Sequence, residues 1–289
     1  MILITGASGN VGGEVLKQAT AKTNLRVRAA YTSLNKSKSA PAGVEPVLMD
    51  YAKPETIRSA LQGIEKVFLV GPPTANVAEL EGKFVDEAKK SGVKLLVTLS
   101  AMGGRKAIFP SLHRDSEEKI ERSGLPFTFL RPNGFMQNFI VYDGVAINTQ
   151  NAFYGAQRDG AVSHIDIRDI ARVAVHVLST GGHEGHAYTL TGPEAITNAQ
   201  TAERLSHVLG RTIRYIDLAP DAFKQALLSA GVPEWSANAV TDLQALYRNG
   251  GAFEVTGEVE RITGRKPASF EEFAAEYRDA FQPIVKAAR

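Results

Sequence analysis

The chain opens with a short β-rich run, Met1–Thr5, that leads straight into Gly6-Ala7-Ser8-Gly9-Asn10-Val11-Gly12 and then into a helical pattern. That order leaves few folds open. The turn must be tight, main chain must come close to an anion, and the helix must pack hard on the strand. A residue without a Cβ serves each demand, and the helix start then offers free N–H groups to a pyrophosphate. Three glycines alone would say little; the strand before them and the helix after them predict a dinucleotide loop.

The alternation continues. Strands are expected at Met1–Thr5, Leu25–Tyr31, Val44–Met49, Lys66–Val70, Leu95–Leu99 and Phe127–Arg131. Between them lie helical patterns at Gly12–Lys22, Pro54–Leu61, Val77–Lys90 and Ser111–Arg122, the longest carrying Val77, Leu80, Phe84 and Ala88 on its apolar face. After Pro132 the rhythm loosens: helices are expected at Asp166–Ser179, Thr197–Leu209, Asp221–Ala230, Glu234–Tyr247 and Phe270–Phe281, with strands at Ala187–Thr191 and Ile213–Asp217. This predicts an α/β protein, a Rossmann-type doubly wound parallel sheet with a smaller, mostly helical C-terminal substrate lobe. Residues 1–132, with 160–192 returning to them, form the dinucleotide domain; 133–159 and 193–289 form the lobe.

The end of the second strand bears on which dinucleotide is held. A carboxylate there would accept from the ribose 2′-hydroxyl of NAD, whereas a 2′-phosphate repels one. From Val15 to Val44 there is no Asp or Glu, while Lys17, Lys22, Arg26, Arg28, Lys36 and Lys38 are present. NADP(H) is therefore expected over NAD(H).

Composition excludes other classes. Net charge is only +2, which argues against nucleic acid or an anionic membrane as partner. Cysteine is absent, so disulfides, thiolate zinc sites and Cys nucleophiles are excluded, in keeping with a reducing cytoplasm. Met1–Ile4 is too short and too glycine-bound for a signal peptide. No metal site is expected, because His183 and His186 share a Gly-rich turn without further ligands nearby.

These residues, together with Leu48-Met49-Asp50, Val70-Gly71-Pro72-Pro73, Leu99-Ser100-Ala101, Leu130 to Asn138, His164 to Ala171 and Thr189 to Glu194, resemble the NmrA-like proteins. Those are atypical short-chain dehydrogenases that include bacterial NADPH-dependent quinone and triphenylmethane-dye reductases. The resemblance spans roughly residues 1 to 210 and is specific as an ordered set. It implies that Gly6, Ala7, Ser8, Gly9, Asn10, Val11 and Gly12 hold the pyrophosphate and that Asp50 and Tyr51 sit at the adenine. Gly71 and Pro72 would line the ribose, and Ser100, Ala101, Pro132 and Asn133 would border the nicotinamide, with Phe135 near the substrate. The family often has an Arg after the second strand for the 2′-phosphate. Here that position is Thr32, so the preference for NADP would rest on Thr32, Ser33 and Lys36.

A short-chain dehydrogenase uses Tyr-x-x-x-Lys as proton donor and its tuning cation. No Tyr here is followed by Lys at that spacing. Asp115 and Lys119 have the spacing, but an aspartate beside a lysine stays ionised. The resemblance places a His in the quinone reductases where His113 stands, making it the candidate proton donor or substrate contact; a solvent-facing histidine at a helix start is the other reading. Phe135, Met136, Phe139 and Tyr142 would suit an apolar wall for a flat aromatic substrate, or plain core. Two functions stay open: an NADPH-dependent reductase of a quinone or similar conjugated acceptor, or a non-catalytic NAD(P) sensor. The expected partner is a small aromatic or quinone substrate, with homodimerisation left open.

Overall fold

The computed structural model describes residues 1–22 and 25–283. Its strands are β1 (Ile2–Ile4), β2 (Val27–Tyr31), β3 (Glu45–Leu48), β4 (Lys66–Leu69), β5 (Leu95–Leu99), β6 (Phe127–Pro132), β7 (Ala152–Gly155), β8 (His186–Leu190) and β9 (Arg214–Asp217). The helices are α1 (Asn10–Thr20), α2 (Leu34–Ser37), α3 (Pro54–Ala60), α4 (Val77–Lys90), α5 (Ile108–Ser123), α6 (Asn138–Val141), α7 (Gly144–Gln150), α8 (Ile167–Ser179), α9 (Asn198–Leu209), α10 (Pro220–Ser229), α11 (Glu234–Arg248), α12 (Glu258–Thr263) and α13 (Phe270–Glu276).

Seven strands form one sheet in the order β3-β2-β1-β4-β5-β6-β8, every neighbour parallel. Its central strands are covered on both faces, which is why Ile2–Ile4 is wholly apolar and Leu95–Leu99 apolar but for the buried Thr98. On one face α1, α8 and α12 bury Val15, Leu16, Ile170, Val173 and Val259. On the other, α3, α4 and α5 bury Ile57, Phe84, Val85, Ala88 and Ile120. The chain winds outward from β1 to β3 and then crosses back to β4, so the switch point lies between the carboxyl ends of β1 and β4, where such sheets bind ligands.

The lobe has its own core of Met136, Phe139, Phe153, Leu205, Phe270, Phe273 and Phe281 beneath a two-stranded parallel β7–β9 sheet. Two boundaries need correction. Helix α12, inside the 193–289 segment assigned to the lobe, returns to the main sheet because Val259 and Ile262 present an apolar pair to α8 and β8. The helix expected over Phe270–Phe281 stops at Glu276, and Arg278–Phe281 continues as a 3-10 turn. Residues 284–289 of that segment lie outside the described residues.

Candidate active site

At the switch point, Gly6 takes φ +61°, a left-handed conformation that turns β1 into the loop. Gly12 is fixed by packing: a Cβ there would stand 2.3 Å from the Gly6 carbonyl oxygen. Gly9 differs from both. A Cβ on it would meet only that same oxygen, at 3.2 Å, and otherwise point into open space. Gly9 caps α1 without a side chain, Ser8 to Asn10 are exposed, and the first turn carries no acid. The first N–H groups at the positive end of an eleven-residue helix therefore face an exposed cradle, which fits a pyrophosphate.

The neighbouring strand end is tied to this loop. Thr5 Oγ1 accepts from the Val70 N–H at 2.7 Å, and the Thr5 N–H donates to the Phe68 carbonyl at 3.0 Å. Tyr51 donates its hydroxyl to the Val70 carbonyl at 2.7 Å, and burial pushes that hydroxyl's pKa up. Asp50 is exposed and closes a turn by accepting from the Ala52 N–H at 2.9 Å. Gly71 follows directly; a Cβ on it would stand 2.4 Å from Glu81 Oε1 and 2.5 Å from Val77 Cγ2. At the end of β2, Thr32, Ser33 and Lys36 are all exposed, and Ser33 Oγ caps α2 by accepting from the Lys36 N–H. The structure thus brings the glycine loop, Asp50, Tyr51, Gly71 and Pro72 around one end of the sheet.

Beyond β6 the backbone is clamped. Gly134 and Met136 exchange main-chain bonds with Ile165, and Gln137 Nε2 donates to Asp166 Oδ1 at 2.8 Å. Asn133 spends its amide inside the protein, donating to Ser163 Oγ at 2.8 Å and to the Ala252 carbonyl at 2.7 Å and accepting from the Gly134 N–H. It can border a ligand through main chain only. Ser100 likewise turns inward, donating to Glu117 Oε1 at 2.7 Å. Glu117 is almost fully buried and also accepts from Arg131 and Arg114. Burial pushes its pKa up, but the bonds from Arg131, Ser100 and Arg114 outweigh that and hold it below the usual carboxylate range.

The aromatic stripe divides. Met136 and Phe139 are core of the lobe, Tyr142 is 77% exposed, and Phe135 alone stays half-buried near the strand end. The apolar pocket expected here is not what lies beside β5 and β6. A cavity of about 520 Å³ there is lined by Ala101 and Met102 but also by Lys106, Arg114, Arg131 and Glu254, and Phe135 is not in its wall.

Against this geometry the comparisons with known proteins are consistent. A family model described as NAD(P)H-binding matches residues 6–181, which takes in the glycine loop and all of β2 to β7. The chain is 35% identical to an NAD(P)H azoreductase of Xenophilus azovorans, over 97% of this chain and 99% of that one. An NADPH-dependent quinone oxidoreductase of Escherichia coli, solved with NADPH, superposes with a TM-score of 0.88 at 27% identity, covering 96% of this chain and all of that one. The negative transcriptional regulator NmrA shares the fold, with a TM-score of 0.77 at 16% identity over 95% of this chain and 94% of that one. The chain belongs to the NAD(P)H-binding family. It is an NAD(P)H-dependent oxidoreductase.

How this oxidoreductase manages protons turns on α5. Asp115 is paired with Arg105 at 2.8 Å, while Lys119 donates to the Ala78 carbonyl at 2.9 Å, so the two residues at dehydrogenase spacing do not work together. His113 is not the solvent-facing residue that a helix start suggests. It is half-buried, edge-on to Phe109, with Nδ1 buried and unpartnered among the described residues. Burial lowers its pKa to about 4, against a smaller opposing pull from Glu117. At neutral pH it is an uncharged imidazole and no ready acid.

Sequence reasoning missed Glu81. It is 1% exposed on α4, directly beneath Gly71, and burial raises its pKa to about 7 despite the Ser116 hydroxyl and Gly71 N–H on its side. The signal was present: Val77, Glu81, Phe84 and Ala88 share one helix stripe, and Glu81 rather than the half-buried Leu80 takes the inward place.

Proposed function

We propose that the chain is an NADPH-dependent reductase in which the bound dihydronicotinamide supplies hydride to a quinone or a similar conjugated aromatic acceptor. One observation carries this reading: α5 holds a neutral His113 where a dehydrogenase of simple carbonyls keeps a tuned Tyr and Lys. A ketone that accepts hydride becomes an alkoxide and must be protonated as it forms. A quinone becomes a delocalised phenolate, which tolerates delay, so positioning can supply most of the rate. The residues that would hold the cofactor are Gly6 to Gly12 at the pyrophosphate, Asp50 and Tyr51 at the adenine, and Gly71 and Pro72 at the ribose. Main chain at Ser100, Ala101, Pro132 and Asn133 would flank the nicotinamide, and Phe135 would meet the acceptor.

NADPH is favoured because Thr32, Ser33 and Lys36 stand exposed at the end of β2 with no carboxylate from Val15 to Val44. The relatives' names, an azoreductase and a quinone oxidoreductase, support the same acceptor class. The test is spectrophotometric: oxidation of NADPH and NADH against quinones, azo dyes and aliphatic ketones. Turnover of quinones or dyes with NADPH preferred is expected. Cofactor binding without turnover of any acceptor would return the chain to the sensor class, and ketone turnover with inert quinones would overturn the reading.

A further inference from the structure

Buried polar side-chain atoms without a hydrogen-bond partner are few in native proteins, because each costs about 1–3 kcal/mol. Five of those among the described residues are Glu81 Oε1 and Oε2, Thr98 Oγ1, His113 Nδ1 and Ser116 Oγ. They lie on one side of the sheet, toward its carboxyl edge. Glu81 is on α4 beneath Gly71, and Ser116 is on the packed neighbour α5, its hydroxyl turned to Glu81. His113 precedes Ser116 by three residues on α5, which places the two side chains one above the other on one helix face. Thr98 shares the face of β5 with Ser100, which itself bonds to Glu117 on α5.

We propose that Glu81, Ser116 and His113 form a buried proton path, with Glu81 as the store and His113 as the end that faces the acceptor. This rests on the acceptor reading above. An ionised Glu81 would be acceptor-only, with the Ser116 hydroxyl and the Gly71 N–H turned toward it but neither making a bond of good geometry; a protonated one has an O–H to give, which Ser116 and His113 can pass on, directly or through water. Imidazole carries a proton through itself, taking it at Nδ1 and releasing it from Nε2. The balance is simple. Hydride addition leaves a quinone as its monoanion; His113 Nδ1 takes a proton along the path as Nε2 releases one to the phenolate oxygen, so the imidazole stays neutral and exchanges tautomer. Glu81 ends as carboxylate, and a solvent proton restores it.

The other charged or titratable groups around Glu81 are already engaged. Tyr51 donates to the Val70 carbonyl, Lys119 to the Ala78 carbonyl, and Glu117 is held by Ser100, Arg114 and Arg131. None is free to supply the proton in Glu81's place. Glu81 acts through its neighbours and is a positioning and proton-holding residue, not one that touches the acceptor.

The test begins without any cofactor. Infrared difference spectra of the ligand-free protein are expected to show a carboxylic acid band that titrates near neutral pH and vanishes in Glu81→Gln, an isosteric change suited to a neutral buried site. The ¹⁵N shifts of His113 are expected to follow that transition in the wild type and in Glu81→Asp, and to ignore it in Glu81→Gln and Ser116→Ala. In turnover, Glu81→Gln should lose the neutral-pH limb of the kcat profile and fall up to about tenfold in kcat with KM unchanged, below the roughly 10²–10⁴ range of a direct general acid. A wild type without the infrared band, or a Glu81→Gln enzyme with the wild-type pH profile, overturns the path. The spectroscopic arms need no acceptor, so they stand or fall apart from the quinone reading.

Discussion

Ser100 Oγ lies 2.7 Å from Glu117 Oε1, so the hydroxyl at the end of β5 faces the helix layer and not the cofactor groove. The same carboxylate takes two bonds from Arg131 and one from Arg114, and its side chain is 2% exposed. Removing it would leave Arg131 half-buried without its partner. Glu117→Leu is expected to cost about 2–4 kcal/mol, near the lower part of the range for broken buried pairs because Arg131 keeps some solvent. Urea unfolding measures it. Since Glu117 titrates lower in the folded chain than in the unfolded one, its stabilisation is complete above the ordinary carboxylate pKa and is lost as pH falls through the lower folded value. The gap between wild type and Glu117→Leu should therefore narrow in acid.

The glycines of the loop separate by role. Gly12→Ala pushes a Cβ into backbone oxygen at 2.3 Å and is expected to destabilise the fold by roughly 1–3 kcal/mol, the usual cost of overpacking. Gly9→Val meets one oxygen at 3.2 Å and otherwise fills the cradle, so the fold should survive within about 1 kcal/mol. Calorimetry should then find NADPH binding to Gly9→Val weakened on the order of a hundredfold or more, the scale of losing anchored anion contacts. Unchanged affinity in a folded Gly9→Val protein would remove the glycine loop as the pyrophosphate site.

Cofactor choice is open to a single exchange at the end of β2. Thr32 is exposed there. Thr32→Asp would repel a 2′-phosphate and accept from a ribose hydroxyl, and it should reverse a wild-type preference for NADPH over NADH. Ratios of kcat/KM for the two cofactors decide the matter. A wild type that prefers NADH would mean that the acid-free stretch is only a solvated basic surface.

Much of this architecture is legible in the sequence because each central strand is short, apolar and bounded by turn residues, and each long helix keeps its period. What was missed is short or contradictory. Strand β7 is only Ala152–Gly155 and takes its partner, β9, from far along the chain, so no local signal marks it. Helix α5 begins at Ile108, ahead of Pro110, because a proline in the first turn has no N–H that needs an intrahelical partner. In the candidate site, the glycines and strand ends announce themselves through spacing. The inward turn of Ser100 and Asn133 cannot be read that way, since it depends on Glu117, Ser163 and Ala252, all distant in sequence.

Glu81 also makes a prediction about stability. Its pKa rises from 4.5 to about 7 on folding, so between those values the folded chain keeps a proton that the unfolded chain has released. Stability tied to that proton is fully present below the unfolded pKa and is lost as pH rises through about 7. Glu81→Gln carries no such penalty. Its stability relative to wild type should climb from pH 4.5 to 7 and level off above, by on the order of 3 kcal/mol. Parallel curves for the two proteins across that window would mean that Glu81 ionises as an ordinary carboxylate.

His113 bears on the chemistry most directly. Burial holds it neutral down to a pKa of about 4, so at neutral pH it passes a proton on and does not arrive charged with one. The enzyme should therefore reduce quinones well and simple ketones poorly, since only the ketone's alkoxide demands a strong acid at the moment of hydride arrival. His113→Ala should lower quinone turnover by a modest factor, at or below the bottom of the roughly 10²–10⁴ range of general acid catalysis. Displacing the clamped segment through Phe135 should cost more, because acceptor and donor atoms must meet at about 3–3.5 Å for the transfer to be fast. The comparison to make is kcat for His113→Ala and Phe135→Ala on one quinone, alongside wild-type rates on an aliphatic ketone. A ketone reduced as fast as the quinone, or a His113→Ala enzyme slowed far beyond Phe135→Ala, would make His113 the principal acid and overturn the assignment of the rate to positioning.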